Sequence, residues 1–351
     1  RPLKALSDED MVDAQRGALL DSTSPNPSVE TLLHTFLPHK FIDHTHSTAV
    51  LAVTDQPDGD KIAADIYGDR AALVPYVMPG FDLAIKAAEV YEANRDVEGL
   101  ILLKHGIFSF GETAREAYER MISLVTVAED RLKTGRKKVF VSAALPKKIA
   151  SVADVAPILR GLIADNDGAS EPKRMVLDFR TNKAIRTYVN GKEAARYSQI
   201  GVVTPDHNIR TKNWPLLVAA PDAGDVPDFI ESTKKACDKF AATSHKYFAR
   251  HNGKRDAVKV ELDTTPRVIL VPGLGLFGVG KSASDAAVAA DIAENTVNVI
   301  TDAEAIGTFR PIPETDMFDI EYWSLEQAKL SKGAEAPLAR RVAIVTGGAG
   351  G

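Results

Sequence analysis

The stretch Phe41-Ile42-Asp43-His44-Thr45-His46 decides the reading of this chain. It has the composition of a short β-strand ending in a His-x-His pair. Side chains alternate faces along a strand, so His44 and His46 point the same way, one pleat apart. Two imidazoles on one face can grip one borderline-soft divalent ion, of which Zn²⁺ is the commonest.

What completes such a site lies elsewhere in the chain. Gly99-Leu100-Ile101-Leu102-Leu103-Lys104-His105-Gly106 reads as a buried strand that delivers His105 at its C-terminal end, with Gly106 allowing a sharp turn. A catalytic zinc site needs three protein ligands and an open position for substrate, and His44, His46 and His105 supply three. Upstream, Pro27-Ser28-Val29-Glu30 stands at the start of a short helix from Glu30 to Leu37. Glu30 is a candidate acid/base, and Ser28 can donate a hydrogen bond to an anionic substrate.

The order Pro-Ser-x-Glu, His-x-His and Leu-Leu-x-His-Gly resembles the zinc-dependent class II aldolase/adducin family. Val74-Pro75-Tyr76 followed by Pro79-Gly80 and a helix fits the same pattern. Within the family, residues 104–111, Thr204-Pro205-Asp206-His207 and the C-terminal stretch are most similar to the bifunctional group that joins a rhamnulose-1-phosphate aldolase to a short-chain alcohol dehydrogenase. The resemblance implies retro-aldol cleavage of L-rhamnulose 1-phosphate to dihydroxyacetone phosphate and L-lactaldehyde, with Zn²⁺ as cofactor. It implies Glu30 as the proton shuttle, Ser28 as a phosphate contact and a homo-oligomeric assembly. Two departures stand against the family pattern. Val29 occupies the place of a second phosphate-binding serine, and no Gly-Asn-x-Ser turn precedes Ser28.

Composition bounds the rest. With 351 residues, 44% hydrophobic and 26% charged, the chain has the make-up of about two soluble domains. A net charge of −5 gives no electrostatic reason to expect nucleic acid. The single cysteine, Cys237, excludes an internal disulfide, and no run approaches a membrane span. The expected setting is the cytoplasm, with a small sugar phosphate as partner.

Strands alternate with helices, so the expected fold is α/β: a layered α/β/α class II aldolase-like domain over 1–145 and a second α/β unit over 146–335. Helices are expected at 8–20, 47–53, 81–94, after Thr113, at 152–164 and at 227–250. Ile107–Gly111 is expected to be a turn leading into the helix after Thr113. Met175–Phe179 and Ala184–Tyr188 are expected to form a hairpin around Arg180-Thr181-Asn182-Lys183. Residues 267–278 echo 100–111, with Gly106 matched to Gly273, Phe110 to Phe277 and His105 to Pro272. That pairing makes the second unit a candidate degenerate aldolase repeat, against chance similarity of two strand–turn–helix units.

The chain closes on Arg341-Val342-Ala343-Ile344-Val345-Thr346-Gly347-Gly348-Ala349-Gly350-Gly351. These residues read as a strand and glycine-rich turn, and 340–351 is expected to be the first edge of a truncated Rossmann domain of the short-chain dehydrogenase kind. Thr346, Gly347 and Gly351 match its NAD-binding turn as far as it goes, against the reading of a flexible tail. The missing remainder would oxidise lactaldehyde with NAD⁺, and the chain is thus expected to be a piece of a longer protein.

Competing readings accompany each motif. His207 is a substrate contact or a turn residue and stays outside the metal set. Gly275-x-x-x-x-Gly280-Lys281-Ser282 matches a phosphate-binding loop, though no acidic strand end stands ready for Mg²⁺. For the whole chain, a sugar-phosphate 4-epimerase or other metal lyase on the same scaffold, and a non-catalytic adducin-like scaffold, are the alternatives to an aldolase.

Overall fold

The computed structural model describes residues 6–164, 172–253, 259–327, 335 and 338–347. It divides into two compact units. The first comprises Arg1–Val139 together with Gly201–Ile209 and Asn298–Leu330; the second comprises Phe140–Ile200, Arg210–Val297 and Ser331–Gly351.

The first unit is built on a four-stranded sheet of β1 (Phe41–Thr45), β2 (Ala71–Val74), β3 (Gly99–Leu102) and β4 (Gly106–Gly111), in the spatial order β1-β4-β3-β2. β2 and β3 run parallel, whereas β4 is antiparallel to both its neighbours. Period-2 alternation sorts the core into two layers. Leu100, Leu102, Phe108 and Phe110 face the helices Thr31–Phe36 and Phe81–Ala93, packing on Leu33, Leu83 and Ala87. Ile101 and Ile107 face the other way, onto Val50, Val53, Met121 and Leu124 of the helices Thr48–Thr54 and Ala114–Lys133. An α/β/α sandwich results. The long helix begins where Thr113 Oγ1 accepts the Glu116 amide, the side-chain cap its sequence encodes.

Ile107–Gly111 is a strand and not the expected turn. Every residue from Gly106 to Gly111 is buried and strand-paired, and Ile107, Phe108 and Ser109 pair on both sides. The chain reverses earlier, within Leu103-Lys104-His105. Helix Gly59–Tyr67 turns Ile62, Ala63, Ile66 and Tyr67 onto one face, toward the core. The segment returning at 298–330 is joined to the sheet unit through Gln56, whose Nε2 donates to Ala52 O and Ala303 O and whose Oε1 accepts the Thr308 amide.

The second unit repeats the topology. Its strands β5 (Val176–Arg180), β6 (Leu216–Leu217), β7 (Val268–Val271) and β8 (Gly275–Gly280) lie in the order β5-β8-β7-β6, again with one parallel pair, β6 with β7. Its core gathers Ile269, Val271, Phe277 and Val279 against Val155, Leu159, Phe229 and Phe240. The helix Val152–Leu162 starts at a full capping box between Ser151 and Asp154. Ala184–Tyr188 is helical and not the second arm of a hairpin. The Asn182 side chain accepts the Ile185 amide and starts the helix Lys183–Val189.

Strand pairing also corrects the internal echo by two residues. Leu102 pairs with Gly106 as Val271 pairs with Gly275. Gly106 therefore corresponds to Gly275, Phe108 to Phe277, and His105 to Leu274, not to Pro272. Residues 275–280, which match a phosphate-loop pattern, form a buried strand whose amides are committed to the sheet. Lys281 pairs with Glu335 at 3.7 Å.

Residues 341–345, expected as a strand, carry no strand pairing, and Val342, Ile344 and Val345 are exposed. A strand needs a neighbour to satisfy its backbone, and the described residues offer it none.

Candidate metal centre

The three histidines meet at one end of the first sheet. His44 lies near the end of β1, on the face shared with Ile42, and its ring stacks on its cross-strand partner Phe108 at a centroid distance of 4.1 Å. His46 follows just past the strand end. His105 sits in the tight β3–β4 turn, 1% exposed. Gly106 is required by this packing: a β-carbon there would lie 2.7 Å from Thr45 O, 3.0 Å from His46 Cδ2 and 3.1 Å from His44 Cε1.

Glu30 enters from the start of the helix Thr31–Phe36. Its Oε1 lies 3.1 Å from His105 Nε2 and 3.2 Å from His44 Nε2, and His46 Nε2 lies 3.0 Å from His44 Nε2. Glu30, His44, His46 and His105 each offer one ligand atom, all within 4.8 Å of one another. Bonds of about 2.0–2.1 Å in a tetrahedron set ligand atoms about 3.3 Å apart, so the three short separations are close to tetrahedral edges. His105 Nε2 and Glu30 Oε1 are buried, and neither makes a hydrogen bond. Buried polar atoms left this way are costly unless something else binds them, and a divalent cation fits.

The surroundings set the ring tautomers in the same sense. His44 Nδ1 is 3.0 Å from Ile107 O, which can only accept, so Nδ1 carries the proton and Nε2 presents its lone pair to the cluster. Thr204 Oγ1 donates to His105 O at 3.3 Å and stands 3.5 Å from His46 Nδ1, where it can accept that ring's N–H.

Burial, followed by the charge of His105, pushes His46 down to about 3 against the pull of Asp206. For Glu30 burial acts upward, but the His105 and His44 rings beside it outweigh burial and hold the carboxyl well below the usual range. The site thus keeps His46 neutral and Glu30 ionised, the states in which each can offer a lone pair to a metal.

Ser28 stands outside the cluster and is exposed; its hydroxyl accepts the Glu30 amide at 3.2 Å. It shapes the entry of the Glu30 backbone and retains its own O–H for donation. Thr204-Pro205-Asp206-His207 belongs to the segment that returns to the first unit. There Asp206, not His207, meets the imidazoles: Asp206 Oδ2 lies 3.7 Å from His105 Nε2 and 3.8 Å from His46 Nε2. Sequence reasoning weighed the histidine and passed over its neighbour. The one available signal was the tetrapeptide itself, since nothing local reveals which side chain of a short 3₁₀ turn faces inward. Thr346 and Gly347 lie in an exposed turn, and Gly351 falls outside the described residues.

Comparison with known proteins agrees with this architecture. The profile of the Class II Aldolase and Adducin N-terminal domain matches residues 2–132, and that of the Aldolase class II, second domain, matches residues 150–330. An uncharacterized oxidoreductase, YuxG, from Bacillus subtilis (strain 168) is 36% identical over 355 residues, covering 99% of this chain and 50% of that protein. The chain thus spans about half the length of that relative. An N-terminal class II aldolase domain from Thermoplasma acidophilum is 38% identical where it aligns, with a TM-score of 0.35, covering 37% of this chain and 59% of that one. An aldolase II superfamily protein from Pseudomonas syringae aligns at 19% identity and a TM-score of 0.28, covering 32% and 49% of the two chains. On the two profile matches, which cover both sheet units, the chain belongs to the class II aldolase family.

Proposed function

We propose that the chain catalyses metal-dependent retro-aldol cleavage of a ketose 1-phosphate, with Zn²⁺ as the ion. The observation that carries this reading is the convergence of Glu30, His44, His46 and His105, with buried ligand atoms that no hydrogen bond satisfies. The three imidazoles would hold the ion. When bound, it supplies Lewis-acid stabilisation of the negative charge that develops on the enediolate as the carbon–carbon bond breaks. Glu30, ionised and adjacent, takes the proton of the hydroxyl released as the bond breaks and returns it to the enediolate carbon. Asp206, with Oδ2 3.7 Å from His105 Nε2 and 3.8 Å from His46 Nε2, can accept a hydrogen bond from the substrate. The Ser28 hydroxyl donates to the substrate phosphate.

The substrate proposed is L-rhamnulose 1-phosphate, giving dihydroxyacetone phosphate and L-lactaldehyde. This choice rests on the similarity of residues 104–111 and 204–207 to the bifunctional group. A relative twice as long and named an oxidoreductase supports the companion proposal, that a further NAD-dependent dehydrogenase domain oxidises the lactaldehyde. We place the reaction in the cytoplasm and in a homo-oligomer. Among the described residues, no helix is long and apolar enough to cross a membrane.

The test is metal content of the purified chain, wild type against His105→Ala, followed by product identification with L-rhamnulose 1-phosphate. About one zinc per chain, lost in the variant, with dihydroxyacetone phosphate as product, is the expected result. An epimerised sugar phosphate in place of cleavage products selects the 4-epimerase. A wild-type chain that takes up no divalent metal removes the mechanism and leaves the scaffold.

A further inference from the structure

The turn that presents His105 contains a residue in a conformation lysine rarely adopts. Lys104 has φ +60°, in the left-handed region where a β-carbon crowds the backbone and glycine is the usual occupant. The second unit provides an internal control. Under the pairing correspondence above, Lys104 aligns with Gly273, which has φ +87°. Both turns close on the same hydrogen bond, His105 N to Leu102 O and Leu274 N to Val271 O. The fold therefore needs a left-handed residue here, and glycine suffices where no histidine is presented.

The lysine side chain makes contacts that glycine cannot. Nζ donates to three backbone carbonyls, Thr54 O at 3.3 Å, Gln56 O at 3.2 Å and Arg310 O at 2.6 Å. An ammonium has three protons, and all three are placed. Thr54 ends the helix Thr48–Thr54, which begins two residues after His46. A cation is favoured at such a helix C-terminus. Asp55, at that C-cap, is fully buried, and neither of its carboxylate oxygens has a hydrogen-bond partner. Burial pushes the Asp55 carboxyl up, and the Lys104 charge opposes that shift. One amino group thus ties the turn bearing His105 to the helix that runs on from His44 and His46.

We propose that Lys104 is a positioning residue for His105: its anchored side chain holds the left-handed turn in register with the His44–His46 strand end. The purpose assigned to His105 rests on the metal reading above; the positioning itself does not.

The experiment uses the whole chain as Lys104→Gly and as the double variant Asp55→Asn with Lys104→Gly. Glycine keeps the required backbone conformation, and the double variant removes the uncompensated carboxylate. Two readouts are taken: hydrogen exchange of the His105 amide in the metal-free chain, and binding of Co²⁺ with its visible absorption spectrum. In both variants we expect exchange at His105 to quicken about tenfold while core-strand protection holds. We expect Co²⁺ affinity to fall about 10- to 100-fold with an altered spectrum, as for other groups that orient metal ligands. Wild-type exchange and wild-type Co²⁺ binding in Lys104→Gly overturn the proposal. Recovery of both in the double variant also overturns it, because Lys104 would then serve only to balance Asp55. A wild-type chain that binds no Co²⁺ defeats the metal reading, and the exchange measurement then decides the role of Lys104 alone.

Discussion

Glu30 Oε1 lies 3.1 Å from His105 Nε2, at hydrogen-bond distance yet without a hydrogen bond. A carboxylate and an imidazole in this relation are arranged for a shared third body. Replacing Glu30 by Gln keeps the shape and removes the base. Turnover is expected to fall about 10²- to 10⁴-fold, the usual contribution of a positioned acid/base, while the three imidazoles still retain metal. Steady-state cleavage alongside metal analysis measures this, and turnover within a few-fold of wild type would take the proton-carrying role from Glu30.

Gly106→Ala tests whether the histidine pair depends on bare backbone. The new methyl group meets Thr45 O at 2.7 Å and the rings of His46 and His44 at 3.0 and 3.1 Å. Either β1 moves away from β4 or the rings turn. The expected destabilisation is about 1–3 kcal/mol, as for overpacking elsewhere, together with loss of metal affinity. Denaturant unfolding and zinc titration measure the two effects separately. Unchanged affinity would mean that the cluster tolerates ring displacement.

Asp206 and His207 are neighbours with different expected roles. Asp206 Oδ2 stands 3.7 Å from His105 Nε2 and 3.8 Å from His46 Nε2, and neither it nor His207 belongs to the four-residue group. Asp206→Asn is expected to lower turnover about 10- to 100-fold, the range for groups supporting a metal site, with metal content preserved. His207→Gln should leave both near wild type. The opposite ranking would reassign the inward-facing residue of this turn.

Stability of the metal-free chain should fall as the solution is acidified. Burial lowers His207 to about 4 and His46 to about 3 from an ordinary value of 6.5. A depressed histidine binds fewer protons folded than unfolded, so its neutral form stabilises the fold above 6.5. That contribution drains away as pH falls from 6.5 towards 4 and 3. For His207 alone the full loss is on the order of 3 kcal/mol at 1.36 kcal/mol per unit. Denaturant midpoints in chelator at several pH values between 7.5 and 4.5 should decline, and less steeply in His207→Gln. A flat profile would show that these rings take up protons over the same pH range in the folded and unfolded chain.

Much of the site was legible in the sequence because its parts are local patterns. His44-Thr45-His46 is a strand period and Thr113 through Glu116 a helix cap, whereas His105, expected at a strand end, lies in the turn after β3, and Gly106, expected to turn, opens β4. What was lost has physical causes. Gly106–Gly111, glycine at both ends with Ser109 inside, looks like a turn, and only its two flanking strands make it a strand. Ala184–Tyr188 carries β-formers, and a single cap at Asn182 decides for helix. Asp206 reaches the site through a chain return that no local pattern announces. The internal echo slips by two residues because Gly106 and Gly111 match Gly273 and Gly278 as well as they match Gly275 and Gly280. Strand register corrects it, because shifting a pairing reassigns every side chain.

That corrected register carries the last prediction. In the second unit the place of His44 falls to Phe179, which packs on Phe277 at a centroid distance of 4.9 Å much as His44 packs on Phe108. His46 and His105 correspond to Thr181 and Leu274, and Thr181 Oγ1 donates to Leu274 O at 2.7 Å. An apolar ring, a hydroxyl already engaged and a leucine give a divalent ion no ligand set. Zinc should therefore bind at one equivalent per chain, and His44→Phe, which writes the second unit's residue into the first, should abolish it. The substitution keeps an aromatic ring on Phe108 but loses the hydrogen bond from His44 Nδ1 to Ile107 O, so unfolding free energy in chelator should fall by only about 1–3 kcal/mol. Calorimetric titration with zinc, paired with denaturant unfolding, makes the measurement. Two equivalents in the wild-type chain, or one surviving in His44→Phe, would place metal on residues other than this cluster.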